Sequence, residues 1–207
     1  VRTIASVAHV LNARNQTAAL PALLAMTDTL RCPDPSKLLP LFPKGSALIY
    51  RNGDHPDRFA IGLSLRLACQ DAHIPFIWAG DAGGAIAIDA DGLHLRDQPE
   101  SRLREASLWR QHAPDRLLLA AAHSETSLQD AAAIHADAVL LSPVFPTQTH
   151  PGEPNLGLTQ FIALCHACTI PVYALGGITD DNCADLLDTP CVGIAGIDWV
   201  LSLSSWA

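Results

Sequence analysis

Between residues 136 and 157 the chain reads Ala-Asp-Ala-Val-Leu-Leu-Ser-Pro-Val-Phe-Pro-Thr-Gln-Thr-His-Pro-Gly-Glu-Pro-Asn-Leu-Gly. Hydroxyls at Ser142, Thr147 and Thr149 and the ring of His150 crowd into one short stretch. Hydroxyls can donate to phosphate or carbonyl oxygens, and an imidazolium adds positive charge to the same ligand. Pro143, Pro146 and Pro151 lower the entropy lost when such a loop is ordered. The apolar run 138–141 ahead of it reads as a short buried strand. A buried strand that opens into a loop of hydroxyls is how a parallel α/β protein presents a binding site. The same letters also fit an ordinary surface turn, so the rest of the chain has to decide.

Short apolar runs at 23–26, 47–50, 75–78, 92–95, 116–120, 138–141, 171–175 and 191–194 alternate with helical patterns. The helices are predicted at 34–45, 56–73, 81–88, 101–110, 124–135, 159–168, 180–187 and 196–203. Asp34-Pro35 opens the first in cap-then-proline fashion, and Ser124 is a fair N-cap. In the helix at 56–73, Phe59, Leu63, Leu67 and Ala68 form the expected apolar face. Residues 1–20 carry Ile4, Val7, Val10 and Leu11 at helical spacing. No linker or low-complexity stretch divides the chain. The prediction is one domain over 1–207, a (β/α)8 TIM barrel with an extra N-terminal helix at 1–20. An open doubly wound sheet would want a glycine-rich turn after the first strand, and residues 27–32 contain no glycine.

A barrel gathers the C-terminal ends of its strands on one face. That face would collect Asp28, Arg51, the Ala79-Gly80-Asp81 turn, His94, His123, the 142–150 loop, Gly176-Gly177 and Ala195-Gly196. The last two pairs follow the seventh and eighth strands, where barrels hold phosphate on free backbone N–H groups and a helix N-terminus.

With 49% hydrophobic and 16% charged residues in 207, the chain is globular. A net charge of −8 argues against a nucleic-acid surface, so any anionic ligand must be held by local donors. Of the six cysteines, Cys165 and Cys168 have zinc-like spacing, but no second pair completes a site, and they read as helix-borne thiols. No signal peptide is visible and no apolar run nears the ~20 residues of a membrane span. The expectation is a cytoplasmic protein with reduced thiols and no membrane or nucleic-acid partner, with homo-oligomerisation left open.

Ala90-Asp91-Gly92-Leu93-His94-Leu95, Ala136-Asp137-Ala138-Val139 leading into Ser142-Pro143-Val144-Phe145-Pro146-Thr147, Ala174-Leu175-Gly176-Gly177-Ile178 and Gly193-Ile194-Ala195 occur in that order. Together they resemble thiamine phosphate synthase and the related thiazole tautomerase TenI, over about residues 22–203. The resemblance implies a transferase of phosphorylated small molecules. It would join hydroxymethylpyrimidine diphosphate to hydroxyethylthiazole phosphate and release pyrophosphate, with Mg²⁺ and cationic side chains neutralising the leaving group. It implies that Thr147 and Thr149 grip the thiazole phosphate. Gly176, Gly177, Gly196 and Ile197 would lie at the backbone-donor turns, with Ser142 and His123 beside them, and Arg51 would reach the diphosphate.

The chain also departs from that pattern. His150 replaces a lysine, and its charge fades above pH ~6.5 unless a bound anion raises its pKa. Gly53 replaces a second lysine, Ile49 a glutamine and Asp198 a serine. Asp81 is the candidate first Mg²⁺ ligand, one residue out of register. Pro99 replaces the second metal aspartate, leaving Asp97 or Glu100 as substitutes. Pro143 stands where the tautomerase carries its ring-bearing catalytic residue, which weighs against that activity. The alternatives are the tautomerase and a non-catalytic barrel that binds a phosphate ligand. His94, inside a strand, reads as a wall residue satisfied by a local hydrogen bond. Tyr50 and Trp78 read as core, and Asp28 as the cap of the next turn.

Overall fold

In the computed structural model, which describes residues 2–17, 19–28, 31–53, 55–147, 152, 154–197 and 199, eight parallel strands close into a barrel in chain order. The strands are β1 (Leu23–Met26), β2 (Ser46–Tyr50), β3 (Phe76–Ala79), β4 (Gly92–Leu95), β5 (Leu117–Ala122), β6 (Ala138–Leu141), β7 (Val172–Leu175) and β8 (Gly193–Gly196). β1 pairs with both β2 and β8, which leaves no open edge. Outside lie α1 (Ile4–Arg14), α2 (Arg58–Asp71), α3 (Ala82–Ala87), α4 (Pro99–His112), α5 (Glu125–Ala133) and α6 (Gly157–Ala167). The helices expected after β1 and β7 are 3-10 turns at Pro35–Leu41 and Cys183–Asp188. Pro40 inside the first removes an amide donor that a continuous α-helix would need.

Strand parity divides the core in two. Leu24, Met26, Ile49, Ile77, Leu119 and Leu140 point into the barrel. Their neighbours Leu23, Leu48, Tyr50, Trp78, Leu118 and Val139 pack outward beneath the helices. Tyr50 and Trp78 are thus core, as their sequence context implies, with ring centroids 5.6 Å apart.

Three sequence expectations are corrected. Phe59, Leu63 and Leu67 of α2 face solvent at 47%, 41% and 55% exposure, while Gly62, Leu65 and Cys69 are buried. Tyr50 and Trp78 fill the space under α2, so the helix must approach with its smallest residue. A Cβ at Gly62 would lie 2.7 Å from the Trp78 ring. β8 extends to Gly196, so Ala195-Gly196 is strand rather than turn, and Ala25 pairs with Gly196. The N-terminal helix is shorter than 1–20, with Ile4, Val7, Ala8 and Leu11 buried and Val10 exposed. A Thr3–Ser6 capping box starts it, and Asp180 accepts the Ile4 amide at 2.8 Å. The helix expected at 196–203 lies almost wholly outside the described residues.

All six cysteines are free. No helix among the described residues is long and apolar enough to cross a membrane.

Candidate active site at the C-terminal rim

The inward parity of each strand carries on past its last residue. It brings Met26, Arg51, His94, Arg96, His123 and Ser142 to one cavity of 790 Å³, with Leu175 and Ile197 on the far wall. A smaller pocket of 40 Å³ adjoins it between β7 and β8, sharing Thr147, Gly176 and Ile197. A third, of 320 Å³, opens on the opposite side and shares Gly53, Arg96 and Gln98.

The β7–β8 side is set by backbone. Val144 donates to the Leu175 carbonyl at 2.9 Å and Phe145 to Gly176 at 3.1 Å, so the loop after β6 continues the sheet against β7. That loop begins with a cis Ser142–Pro143 bond. Gly176 and Gly177 have φ of +98° and +68°, and both lie under the loop. The amides of Gly177, Ile178 and Ile197 donate to no described residue, leaving N–H groups beside a small concavity. That is the arrangement by which barrels hold a phosphate. A Cβ at Gly177 would stand 2.3 Å from the Pro146 carbonyl oxygen and 2.7 Å from that of Phe145, both of them backbone. Gly177→Ala is therefore expected to cost about 2 kcal/mol or more of stability. It should also raise KM for a phosphate-bearing substrate about tenfold. Urea unfolding and steady-state kinetics check the two effects separately.

The β4–β5 wall holds two histidines in different settings. His123 Nδ1 lies 2.8 Å from the Ser142 carbonyl, and since a carbonyl only accepts, Nδ1 carries the proton. The Ser142 hydroxyl lies 3.3 Å from the same nitrogen, and Ser142 is buried. His94 is buried, and among the described residues neither ring nitrogen has a hydrogen-bond partner. The satisfied wall residue expected from the sequence is thus an orphaned imidazole lining the cavity. Burial, with Arg51, Arg102 and Arg96 adding repulsion, depresses its pKa to about 3. The folded state holds His94 neutral while the unfolded chain protonates near pH ~6.5. Stability therefore falls as pH drops below that value, by up to about 1.4 kcal/mol per unit. Between pH 6.5 and 5 wild type should lose about 1.6 kcal/mol more than His94→Asn in urea unfolding. Equal losses would show that His94 takes up its proton without penalty.

Arginines make up the β2–β4 side. Arg51 is half-buried and its guanidinium bonds to no described residue. Its backbone amide donates to Thr27 Oγ1 at 2.8 Å, which fixes the strand end. Burial lowers its pKa, Asp28 opposes this, and Arg96 and Arg31 add repulsion. Arg58 is engaged, donating to the Ala79 carbonyl, facing Asp81 at 3.5 Å and lying 3.9 Å over the Trp78 ring. Asp81 also caps α3, accepting the Gly84 amide at 2.7 Å. Asp97 faces the buried Arg102 at 3.5 Å.

The expected Mg²⁺ ligands do not form a set. Asp81 lines the 320 Å³ cavity and Asp97 the 790 Å³ one, each with an arginine partner. Among the described residues no three His, Cys, Asp or Glu side chains gather as ligands. These residues do not fit a divalent-cation site.

Of the sequence candidates, Arg51, His123, Ser142, Thr147, Gly176 and Ile197 line the large cavity, and Gly177 and Gly196 line the small one. Thr149, His150 and Asp198 lie outside the described residues. Reading the motifs without strand parity missed Arg96 and misassigned His94. Counting in twos from the inward Gly92 would have found both.

A model of the thiamine monophosphate synthase family matches residues 39–200. The chain is 35% identical over 152 residues to the thiamine biosynthesis bifunctional protein ThiED of Geobacter sulfurreducens, covering 73% of this chain and 30% of that protein's length. It is 35% identical over 156 residues to the thiamine-phosphate synthase of Azoarcus sp., covering 73% of each. The solved thiamine phosphate pyrophosphorylase from Pyrococcus furiosus superposes with a TM-score of 0.69 at 29% identity, over 85% of both chains. The eight-stranded barrel, the glycine turn under the β6 loop and the match over residues 39–200 agree: this chain belongs to the thiamine monophosphate synthase family.

Proposed function

We propose that the protein is a thiamine phosphate synthase, a transferase joining hydroxymethylpyrimidine diphosphate to hydroxyethylthiazole phosphate. The observation that carries this reading is one cavity with two anion-receiving ends. Thr147 and the amides near Gly177 and Ile197 face one end, and Arg51 faces the other. Two phosphorylated substrates can meet there head to head, with their reacting atoms between His123, Ser142 and His94.

The C–O bond between the pyrimidine methylene and the diphosphate breaks, and its electron pair leaves with pyrophosphate. The thiazole nitrogen then supplies its lone pair to the new C–N bond. No proton changes hands in this exchange, so the site needs no general base. Its task is to neutralise charge growing on the leaving oxygen and to align the partners. Arg51 serves the first need and the glycine turn the second. His150 and Thr149 complete the phosphate-side loop in this reading. Enzymes of the family use Mg²⁺, but Asp81 and Asp97 do not fit it here, and no step is routed through it. The free cysteines fit a reducing cytoplasm.

The test is pyrophosphate release with both substrates. Release equal to thiamine phosphate formed, and reduced in His150→Ala, is the expected result. Thermal stabilisation by the thiazole phosphate without release would leave a phosphate-binding barrel. Isomerisation of a thiazole phosphate without pyrophosphate would indicate the tautomerase.

A further inference from the structure

We propose that Arg96 is the second guanidinium of the diphosphate subsite, and that Arg51 and Arg96 together bind the diphosphate without a divalent cation. This rests on the synthase reading for the identity of the ligand. It goes beyond that reading in the residue it names and in the metal independence it implies.

The geometry comes from strand parity. His94 and Arg96 follow Gly92 on the inward side of β4, as Arg51 follows Ile49 on β2. The Arg96 side chain crosses the rim to β2. A Cβ at Gly53 would lie 2.1 Å from Arg96 Nη2, so the guanidinium occupies the place a side chain at 53 would take. That sets its charge over the backbone two residues beyond Arg51, on the border of the two larger cavities. The backbone is held from below, because buried Arg102 donates to the Arg96 carbonyl at 3.2 and 2.9 Å.

Commitment separates this pair from its neighbours. Arg58 is spent on Asp81, the Ala79 carbonyl and Trp78, Arg102 on Asp97 and three carbonyls, and Arg104 on Glu105 at 2.8 Å. The guanidiniums of Arg51 and Arg96 bond to no described residue. Arg51 and Arg96 repel each other, and the carboxylate beside Arg51, Asp28, is shared with Arg31 at 3.6 Å, so the two guanidiniums form a site prepared for an anion. His94, buried and without a hydrogen-bond partner among the described residues, lines the same cavity and independently marks a place built for a polar ligand. Meanwhile the carboxylates that could have drawn a metal are each held by an arginine. Guanidinium groups match phosphate oxygens in bidentate geometry, so they can neutralise a diphosphate directly.

The test is calorimetric titration of inorganic pyrophosphate into the full chain in EDTA, then in Mg²⁺. Wild type should bind in EDTA. Arg96→Ala should weaken binding at least tenfold, Arg96→Lys less, and Arg104→Ala not at all. Arg96 and Arg104 are both exposed, so each variant is expected to fold, and circular dichroism checks this. Binding that requires Mg²⁺, or is equal in Arg96→Ala and wild type, overturns the proposal. Because the readout is binding, its failure is separable from that of the synthase reading. A chain that binds pyrophosphate through Arg96 but forms no thiamine phosphate keeps this inference and loses that activity.

Discussion

Arg51→Ala is expected to lower kcat/KM for pyrophosphate release by about 10²–10³, the range for losing one preorganised electrostatic donor at the reacting centre. The loss should appear mainly in kcat, because charge on the leaving oxygen grows towards the transition state and the guanidinium is matched to that charge. Stability should stay the same or rise slightly. The half-buried guanidinium bonds to no described residue, so no described side-chain hydrogen bond is lost with it, while the amide-to-Thr27 bond survives. Arg51→Lys should recover only part of the rate, since an ammonium keeps the charge but not the fork. Unchanged kcat in Arg51→Ala, with both substrates saturating, would remove Arg51 from the diphosphate end of the cavity.

The second large effect is on stability. Arg102 is 2% exposed, and its guanidinium reaches the Arg96 carbonyl, the Ala121 carbonyl at 2.5 Å, the Ser127 carbonyl at 3.4 Å and Asp97 at 3.5 Å. One side chain thus ties the ends of β4 and β5 to the first turn of α5. Arg102→Ala removes a buried charge and strands its acceptors, with Asp97 left uncompensated beside them. The expected cost is about 3–5 kcal/mol, or a fall in Tm on the order of 10 °C for a chain of this size. Adding Asp97→Asn to Arg102→Met should recover part of it, because the orphaned carboxylate goes and the volume is nearly kept. A Tm within a degree of wild type in Arg102→Ala would show that the rim does not depend on this network. Activity is expected to fall with it, because Arg96 and His123 follow the two strand ends that Arg102 joins.

The reach of the sequence differs from element to element. β1 and β6 lie where their apolar runs place them, at Leu23–Met26 and Ala138–Leu141. Short runs buried on both faces and bounded by polar residues admit few other readings. Ser124 caps α5 in a box with Ser127, a signal confined to adjacent residues and therefore readable there. α2 shows the opposite case. Its stripe of Phe59, Leu63 and Leu67 has the period of a buried face, yet it faces solvent. The side that packs is chosen by Tyr50 and Trp78, which belong to other strands, and by the room that Gly62 leaves for them.

The same division runs through the site. The placement of Gly176-Gly177 and Thr147 at the rim is legible because it follows from a strand end and from a loop tied to one. Arg51 is legible as a charge closing β2. His94 and Arg96 carry an equally local signal, the parity of β4, but what they do depends on contacts between strands far apart in the chain. Whether an imidazole finds a partner, and whether a guanidinium crosses to lie over Gly53, is decided when the barrel closes. The pairing of Asp81 with Arg58 and of Asp97 with Arg102 is decided there too. By itself the sequence determined the order of eight strands and the glycine turn at β7, because each follows from backbone geometry over a few residues. Only the tertiary structure decided which charges remain uncommitted at the rim, because that depends on which side chains distant in sequence neutralise one another.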